Sequence, residues 1–563
     1  MEKISGSQIL VRSLLKEGVD TIFGYPGGTI MPLYDELYNH KDTLRHILVR
    51  HEQGAVHAAE GYSRVSGKTG VCIATAGPGA TNLITGIADA YMDSTPLVCI
   101  TAQVAADKLG SNFFQEADII SLTIPVTKWS FQITNPSEIQ EIVSKAFYIA
   151  KTGRPGPVLL SITKNSQIET TNYDSDKKFT FEIPCFRRYL PENSELSKCA
   201  RLMNEAERPM IIAGQGVILS GGEKQLQKMA EKSGIPVVTT LMGISAFPTG
   251  HPLFAGNAGM HGNIAPNRMT QESDLIFAIG MRFSDRVTGD TSKYAPKAKI
   301  IHSDIDKSEF NKTIKSDIQL HGDALKIMER LTPLLRSKER ENWKEFIKEC
   351  KSVEKYSVND KIFDSSGRSS ISMGQAVAAM SDICKEEMVI VTDVGQHQMF
   401  CARYSRFSKS RSLITSGGLG TMGFGLPAAI GAKFGAPERV VVAVTGDGGF
   451  QMTVQELGTI MQTGINLKMV ILNNSFLGMV RQWQELFFDK RYSSTEMNNP
   501  DFTAIASAYG IQSSKISDIV ELESGVEKMI NSEKAYLLEI IVDKEENVFP
   551  MVPSGASLDD IIY

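Results

Sequence analysis

Two short polar segments carry the clearest chemistry in this chain: Gly446-Asp447-Gly448-Gly449 and, 24 residues on, Asn473-Asn474. The β-branched run RVVVAVT ends at Thr445 before the first segment, and LKMVIL runs into the second, with a helix expected from about Thr453 to Thr463 between them. In a strand–helix–strand unit both strands point the same way. Asp447 and Asn474 should therefore emerge together at the carboxyl edge of a sheet, where open α/β sheets bind ligands. Mg2+ prefers octahedral oxygen ligands and takes only one or two carboxylates together with phosphate oxygens, a need that Asp447, the Asn474 amide and a diphosphate would meet. The glycines admit close backbone approach, and the N–H groups at a helix start favour an anion. Alone, the GDGG run would read as a glycine-rich turn; the Asn-Asn pair at this spacing points instead to a metal–diphosphate anchor.

The elements that must position these residues repeat along the chain. At 563 residues the chain is too long for a single core, and about three domains of ~150–200 residues would absorb it. A short β-branched run, then glycines, then a helical pattern recurs in three stretches: 20–102, 209–306 and 387–474. This is the pattern of doubly wound α/β domains with parallel sheets flanked by helices. The polar stretch 169–184, the charged helical segment 336–356 and the SSGRSS run after it separate three expected domains at 1–175, 190–340 and 368–563. The first and third stretches can be laid beside each other as strand, glycine turn, helix, strand, which generic recurrence of such units would explain equally well.

Composition narrows the function classes. With 42% hydrophobic and 22% charged residues and no apolar run long enough to cross a bilayer, a membrane protein is not expected. The opening MEKISGSQILVRSLLKEGVD reads as an amphipathic helix and not as a signal or transit peptide, so a cytoplasmic protein is expected. Net charge of -5 leaves no basic footprint for nucleic acid. Seven scattered cysteines, Cys185 among them, show no metal-ligand spacing and read as reduced structural thiols.

The GDGG run followed by Asn-Asn resembles the signature of thiamine-diphosphate-dependent enzymes. That resemblance implies a third metal ligand, the main-chain carbonyl of Phe476, and a place for the cofactor's diphosphate beside Gly446, Gly448 and Gly449. The segment HEQGAVHAAEGYSR looks like the one whose glutamate bonds the pyrimidine ring, with Glu52 as the match; without the metal site Glu52 would read as a helix-dipole partner. Met422, in SGGLGTMGFGLPAAIGA, matches the apolar wedge that bends the cofactor, although helix-start packing explains it as well. Gly28 joins the cofactor-binding expectations from FGYPGG.

Within that superfamily the closest resemblance is to the FAD-containing catalytic subunits of acetohydroxyacid (acetolactate) synthases, and it covers nearly the whole chain. Its marks are FGYPGG, FQEAD, TKWS, GRPGPV, GMHG, GMRFSDRVTG, LGMVRQWQELF and PMVPSGAS. Such enzymes decarboxylate pyruvate on thiamine diphosphate and join the two-carbon unit to a second pyruvate or to 2-oxobutyrate, opening branched-chain amino-acid synthesis. A related 2-oxo acid decarboxylase or another carboligase is the alternative. The resemblance implies that Arg286 binds the acceptor carboxylate, for which its planar fork is suited, and that Trp483 selects the acceptor. Gln115, Phe114, Met479 and Val480 would line the same pocket. FAD would lie on Arg154, the Gly214–Gly216 turn, His261, Arg282, Asp304, Asp306 and Asp323. Two residues depart from the family pattern: Phe113 stands where a small residue is usual, and Ser284 replaces an acid. A homodimer or homotetramer, with a smaller regulatory subunit, is the implied assembly.

Overall fold

The β-branched runs form three six-stranded parallel sheets in the computed structural model, which describes residues 2–181, 190–364, 366, 370–385 and 387–563. Cys185 and most of 365–370 lie outside the described residues. Strand residues are apolar almost without interruption because helices cover both faces of each sheet. Alternation along a strand divides them between two cores: in the first sheet Val71 and Ile73 enter one while Cys72 and Ala74 enter the other. The same holds for Ile211 against Ile212 in the middle sheet and for Val442 against Ala443 in the third.

Counting strands from one to six within each sheet, the first and third sheets share the order 2-1-3-4-6-5. Their sequence likeness is thus a likeness of topology. The middle sheet has the order 3-2-1-4-5-6, that of dinucleotide-binding folds, with its topological switch between the strands Pro209–Ala213 and Leu275–Ile279.

The first and third sheets are joined by two helices, Glu52–Ser66 and Gly425–Gly435, whose small residues let their backbones touch. A Cβ on Gly61 would lie 1.9 Å from the Ala428 carbonyl oxygen, and one on Gly431 would lie 1.7 Å from that of Ala58. The first of these helices is capped by His51, whose Nδ1 accepts from Gln53 N at 3.1 Å, and is ended by Gly67 at φ 76°.

Two local expectations are revised, for the opening segment and for the helix after GDGG, and the charged segment is helical as expected. The opening segment is a strand, Glu2–Ser5, followed by a helix, Gly6–Lys16. A Ser5–Gln8 capping box starts the helix, and the strand pairs with Thr170–Tyr173, a long-range partner that local periodicity does not reveal. The helix after GDGG begins at Asp447 and runs to Met452, with a second helix at Leu457–Thr463. The charged segment forms the helix Glu341–Glu354, whose Cys350 packs on Ile264 and Ala265 of the middle domain. The six described cysteines are free, five of them buried. Among the described residues no helix is long and apolar enough to cross a membrane.

Gly431→Ala inserts a methyl group into the Ala58 carbonyl, so it is expected to destabilise the protein by about 1–3 kcal/mol or more. Differential scanning calorimetry should record a lower unfolding midpoint; an unchanged midpoint would contradict the helix contact.

Candidate active site

Val441–Gly446 and Lys468–Asn473 are adjacent parallel strands, with Gly446 opposite Leu472, so Asp447 and Asn474 leave the sheet side by side at its carboxyl edge. Both are buried. Asp447 Oδ2 accepts from Asn499 Nδ2 at 2.6 Å, and the same amide nitrogen reaches Asn473 Oδ1 at 3.0 Å. Asn474 Nδ2 donates to Gln396 Oε1 at 3.2 Å, and its Oδ1 accepts from Phe476 N at 3.1 Å. Burial pushes the Asp447 carboxyl up to about 6, and the groups that hold it down are all neutral, Asn499 and backbone N–H groups. A buried carboxylate beside an amide oxygen that keeps a lone pair, with neutral groups alone bonded to it, fits a divalent ion.

Beside this pair lies His397, buried, its Nε2 without a partner and its ring pushed down to about 4 by burial. Gly446 makes room for it, since a Cβ there would stand 3.0 Å from His397 Nδ1. A neutral, orphaned imidazole nitrogen at the cavity that Gly446, Gly448 and Gly449 line fits a phosphate oxygen.

Met422 lies between Gly420 and Gly423, both at positive φ, ahead of the helix Gly425–Gly435. A buried carboxylate, Asp393, sets this turn: it accepts N–H groups from Gly423 at 3.0 Å, Gly425 at 2.9 Å and Val394 at 2.8 Å. A Cβ on Gly449 would fall 2.5 Å from Asp393 Oδ1. One carboxylate therefore holds the turn that follows Met422 and packs closely against Gly449 of the GDGG segment.

These residues open into a cavity of about 1360 Å3 that continues into the middle domain. Met479, Val480 and Trp483 line it from the helix Gly478–Phe487, and Phe476 from the turn before that helix. Across from them are His261, Ser284 and Arg286. Burial pushes His261 down to about 4. The Arg286 side chain is 59% exposed, 3.7 Å from Asp285, and lies against Met260 Sδ. Farther in, Arg154, Gly216, Arg282, Asp304 and Asp323 line the same cavity. Arg282 donates to Met92 O at 3.1 Å, and Arg154 to Ser94 Oγ at 2.8 Å. Burial pushes Asp304 up to about 7, while Asp323 caps the helix Ala324–Leu331. Two positively charged guanidiniums, a buried carboxyl and a dinucleotide-fold switch point fit the phosphates and hydroxyls of FAD. Gly214 and Asp306 do not line the cavity. Gly214 packs under the Gly280 carbonyl, where a Cβ would come within 2.2 Å, and Asp306 stands behind, 3.6 Å from Arg154.

Glu52, Gly28 and Gln115 lie elsewhere, at the carboxyl edge of the first sheet. Glu52 Oε2 accepts from Asn82 at 2.9 Å, and a Cβ on Gly79 would come within 3.3 Å of Oε1. Gly77 approaches Gln115, which holds φ at 63°. Gly28 faces open space, while Phe113 is half exposed and Phe114 88% exposed. None of these residues lines the cavity described above.

Sequence reasoning missed Asp393, His397 and Asn499. The first two follow the strand Val389–Thr392 and could have been found by reading every polar residue at a sheet's carboxyl edge. Asn499 sits in an irregular loop with no local signal.

Three family models match the chain: the N-terminal TPP binding domain of thiamine pyrophosphate enzymes over residues 4–122, their central domain over 196–331 and their C-terminal TPP binding domain over 393–540. The chain is 44% identical to the probable acetolactate synthase large subunit of Methanocaldococcus jannaschii, covering 99% of this chain and 95% of that one. It is 42% identical to the acetolactate synthase isozyme 2 large subunit of Escherichia coli, covering 99% of each. Against the acetolactate synthase large subunit of Corynebacterium glutamicum the identity is 42% over all of this chain and 90% of the relative.

Asn499→Ala removes the donor that orients the Asp447 carboxylate. It is expected to weaken Mg2+-dependent diphosphate binding about 10–100-fold by titration calorimetry with little change in the unfolding midpoint; unaltered affinity would exclude Asn499 from that role.

Proposed function

The chain belongs to the thiamine pyrophosphate enzymes and, among them, to the acetolactate synthase large subunits; on that footing we propose that its long cavity joins two 2-oxo acids into an acetohydroxy acid. The observation that supports this reading is continuity: Asp447, Asn474 and Met422 share one cavity with Arg286 and Trp483. A two-carbon donor and an acceptor carboxylate can therefore meet within one cavity.

Asp447, the Asn474 amide and the Phe476 carbonyl would hold Mg2+, with His397 and the GDGG backbone on the diphosphate. Bound thiamine diphosphate supplies the nucleophilic carbon and the electron sink through which pyruvate loses CO2. Met422 would press on the cofactor from a turn that Asp393 holds in place. Glu52 would exchange a proton with the pyrimidine ring. Because Glu52 is absent from the cavity of its own chain, a second copy must bring it, and we read the assembly as at least a homodimer.

The two-carbon unit must meet an acceptor before it meets a proton, so capture of the second 2-oxo acid decides the product. Arg286 lines the cavity with its side chain more than half exposed and Asp285 no nearer than 3.7 Å, which leaves its fork able to bind that carboxylate by two parallel hydrogen bonds. Trp483 beside Met479 and Val480 presents the apolar wall against which 2-oxobutyrate and pyruvate differ by one methylene, about 1–3 kcal/mol. Arg154, Arg282, Asp304 and Asp323 would hold FAD, which takes no net redox part in this reaction. Ser284 leaves that end one negative charge short of the family pattern. The relatives are named large subunits, which supports a smaller regulatory partner, and the reading places the protein in the cytoplasm.

Purified protein given pyruvate with thiamine diphosphate, Mg2+ and FAD is expected to form acetolactate, and to lose that activity when the first two are withheld. Acetaldehyde in place of acetolactate would assign the chain to the decarboxylases. Arg286→Ala should raise the KM for the acceptor at least tenfold while leaving thiamine diphosphate affinity within twofold of the wild type; equal loss of both would remove Arg286 from acceptor capture.

A further inference from the structure

The Met422 turn has a second anchor, and it comes from another domain. The helix Ile84–Met92 of the first domain ends against the segment 415–421 of the third, which leads directly into Met422. Asp93 is fully buried at this junction. Its Oδ1 accepts from Gly418 N at 2.7 Å and its Oδ2 from Gly417 N at 2.9 Å. A Cβ on Gly418 would fall 2.8 Å from Oδ1, so the carboxylate and the glycine are matched. One turn earlier in the helix Asp89 Oδ1 accepts from Ser416 Oγ at 2.6 Å, and Ser416 Oγ in turn accepts from Thr421 N at 2.8 Å. Arg64 closes the group, 3.5 Å from Asp93 and bonded to Thr415 O at 2.5 Å.

A buried carboxylate with one cation at 3.5 Å is costly unless its remaining lone pairs are satisfied. Here the satisfying N–H groups belong to the loop that ends at Met422, so the energy of satisfying Asp93 is tied to one loop conformation. The adjoining residues extend the connection: Met92 O accepts from Arg282, and Ser94 Oγ from Arg154, at the far end of the cavity.

We propose that Asp93, with Asp89 beside it, is a positioning residue that holds the Met422 turn across the domain boundary in the form that accepts thiamine diphosphate. The inference rests on the reading of the cavity as a thiamine diphosphate site. With Asp393 on the other side, it places Met422 between two buried carboxylates, one from its own domain and one from the first.

The test is thiamine diphosphate titration by calorimetry, with Mg2+ present, on wild type, Asp93→Asn, Ser416→Ala and Thr95→Val, each with its cofactor-free unfolding midpoint. Thr95→Val loses the buried bond from Thr95 Oγ1 to Glu60 at 3.1 Å in the same cluster without touching the loop. Asp93→Asn and Ser416→Ala should each weaken binding roughly tenfold. Thr95→Val should lower the midpoint and leave affinity at the wild-type value. If affinity in all three variants falls in step with the midpoint, or if Asp93→Asn and Ser416→Ala bind as wild type does, the proposal is overturned. Should Asp93→Asn fail to fold, Ser416→Ala decides by itself. A wild type that binds no thiamine diphosphate would overturn the reading of the cavity as well.

Discussion

The backbone contact between the helices Glu52–Ser66 and Gly425–Gly435 is the constraint on which the rest depends. Where Gly61 meets the Ala428 carbonyl and Gly431 meets that of Ala58, no side chain fits, so the helices can pack in one register only. That register brings the buried Glu456 carboxylate under the N–H groups of Arg50 and His51, at 3.0 and 3.1 Å, and so fixes the start of the helix that carries Glu52. The same packing leaves Glu52 bonded to Asn82 and outside the cavity of its own chain. The separation of Glu52 from the Asp447 cavity within one chain, on which the two-chain reading rests, goes with how the first and third domains are joined.

Buried carboxylates then convert glycine-rich segments into fixed ones. SGGLGTMG has the composition of a flexible loop, yet its N–H groups are claimed by Asp93 on one side of Met422 and by Asp393 on the other. The glycines serve close approach to those carboxylates: side chains at Gly418 or Gly449 would displace Asp93 or Asp393. The proposed metal ligands Asp447 and Asn474 are treated alike, each held by a neutral amide that orients it without supplying positive charge.

What the sequence made legible was whatever depends on local pattern. The parallel-sheet domains followed from apolar runs and glycine turns, and the Asp447–Asn474 pair from their placement at two neighbouring strand ends. The likeness of the first and third stretches, ambiguous in sequence, is settled by their identical strand order. What stayed hidden depends on distant partners. The opening strand needs Thr170–Tyr173, Asn499 acts from an irregular loop, and Asp93 acts across a domain boundary on residues more than three hundred positions away. Gly214 shows the converse: a glycine in the position of a phosphate-binding turn is required by the Gly280 carbonyl packed against it.

The central claim, that each active site joins the Glu52 edge of one chain to the Asp447 cavity of another, is tested most directly by mixing Glu52→Gln and Asp447→Asn proteins, each inactive alone. After dissociation and reassembly at equal amounts, half of the dimers are mixed and each of these holds one intact site, so acetolactate formation is expected to recover to about a quarter of the wild-type rate. Mixed dimers that assemble and yet form no acetolactate would contradict the account.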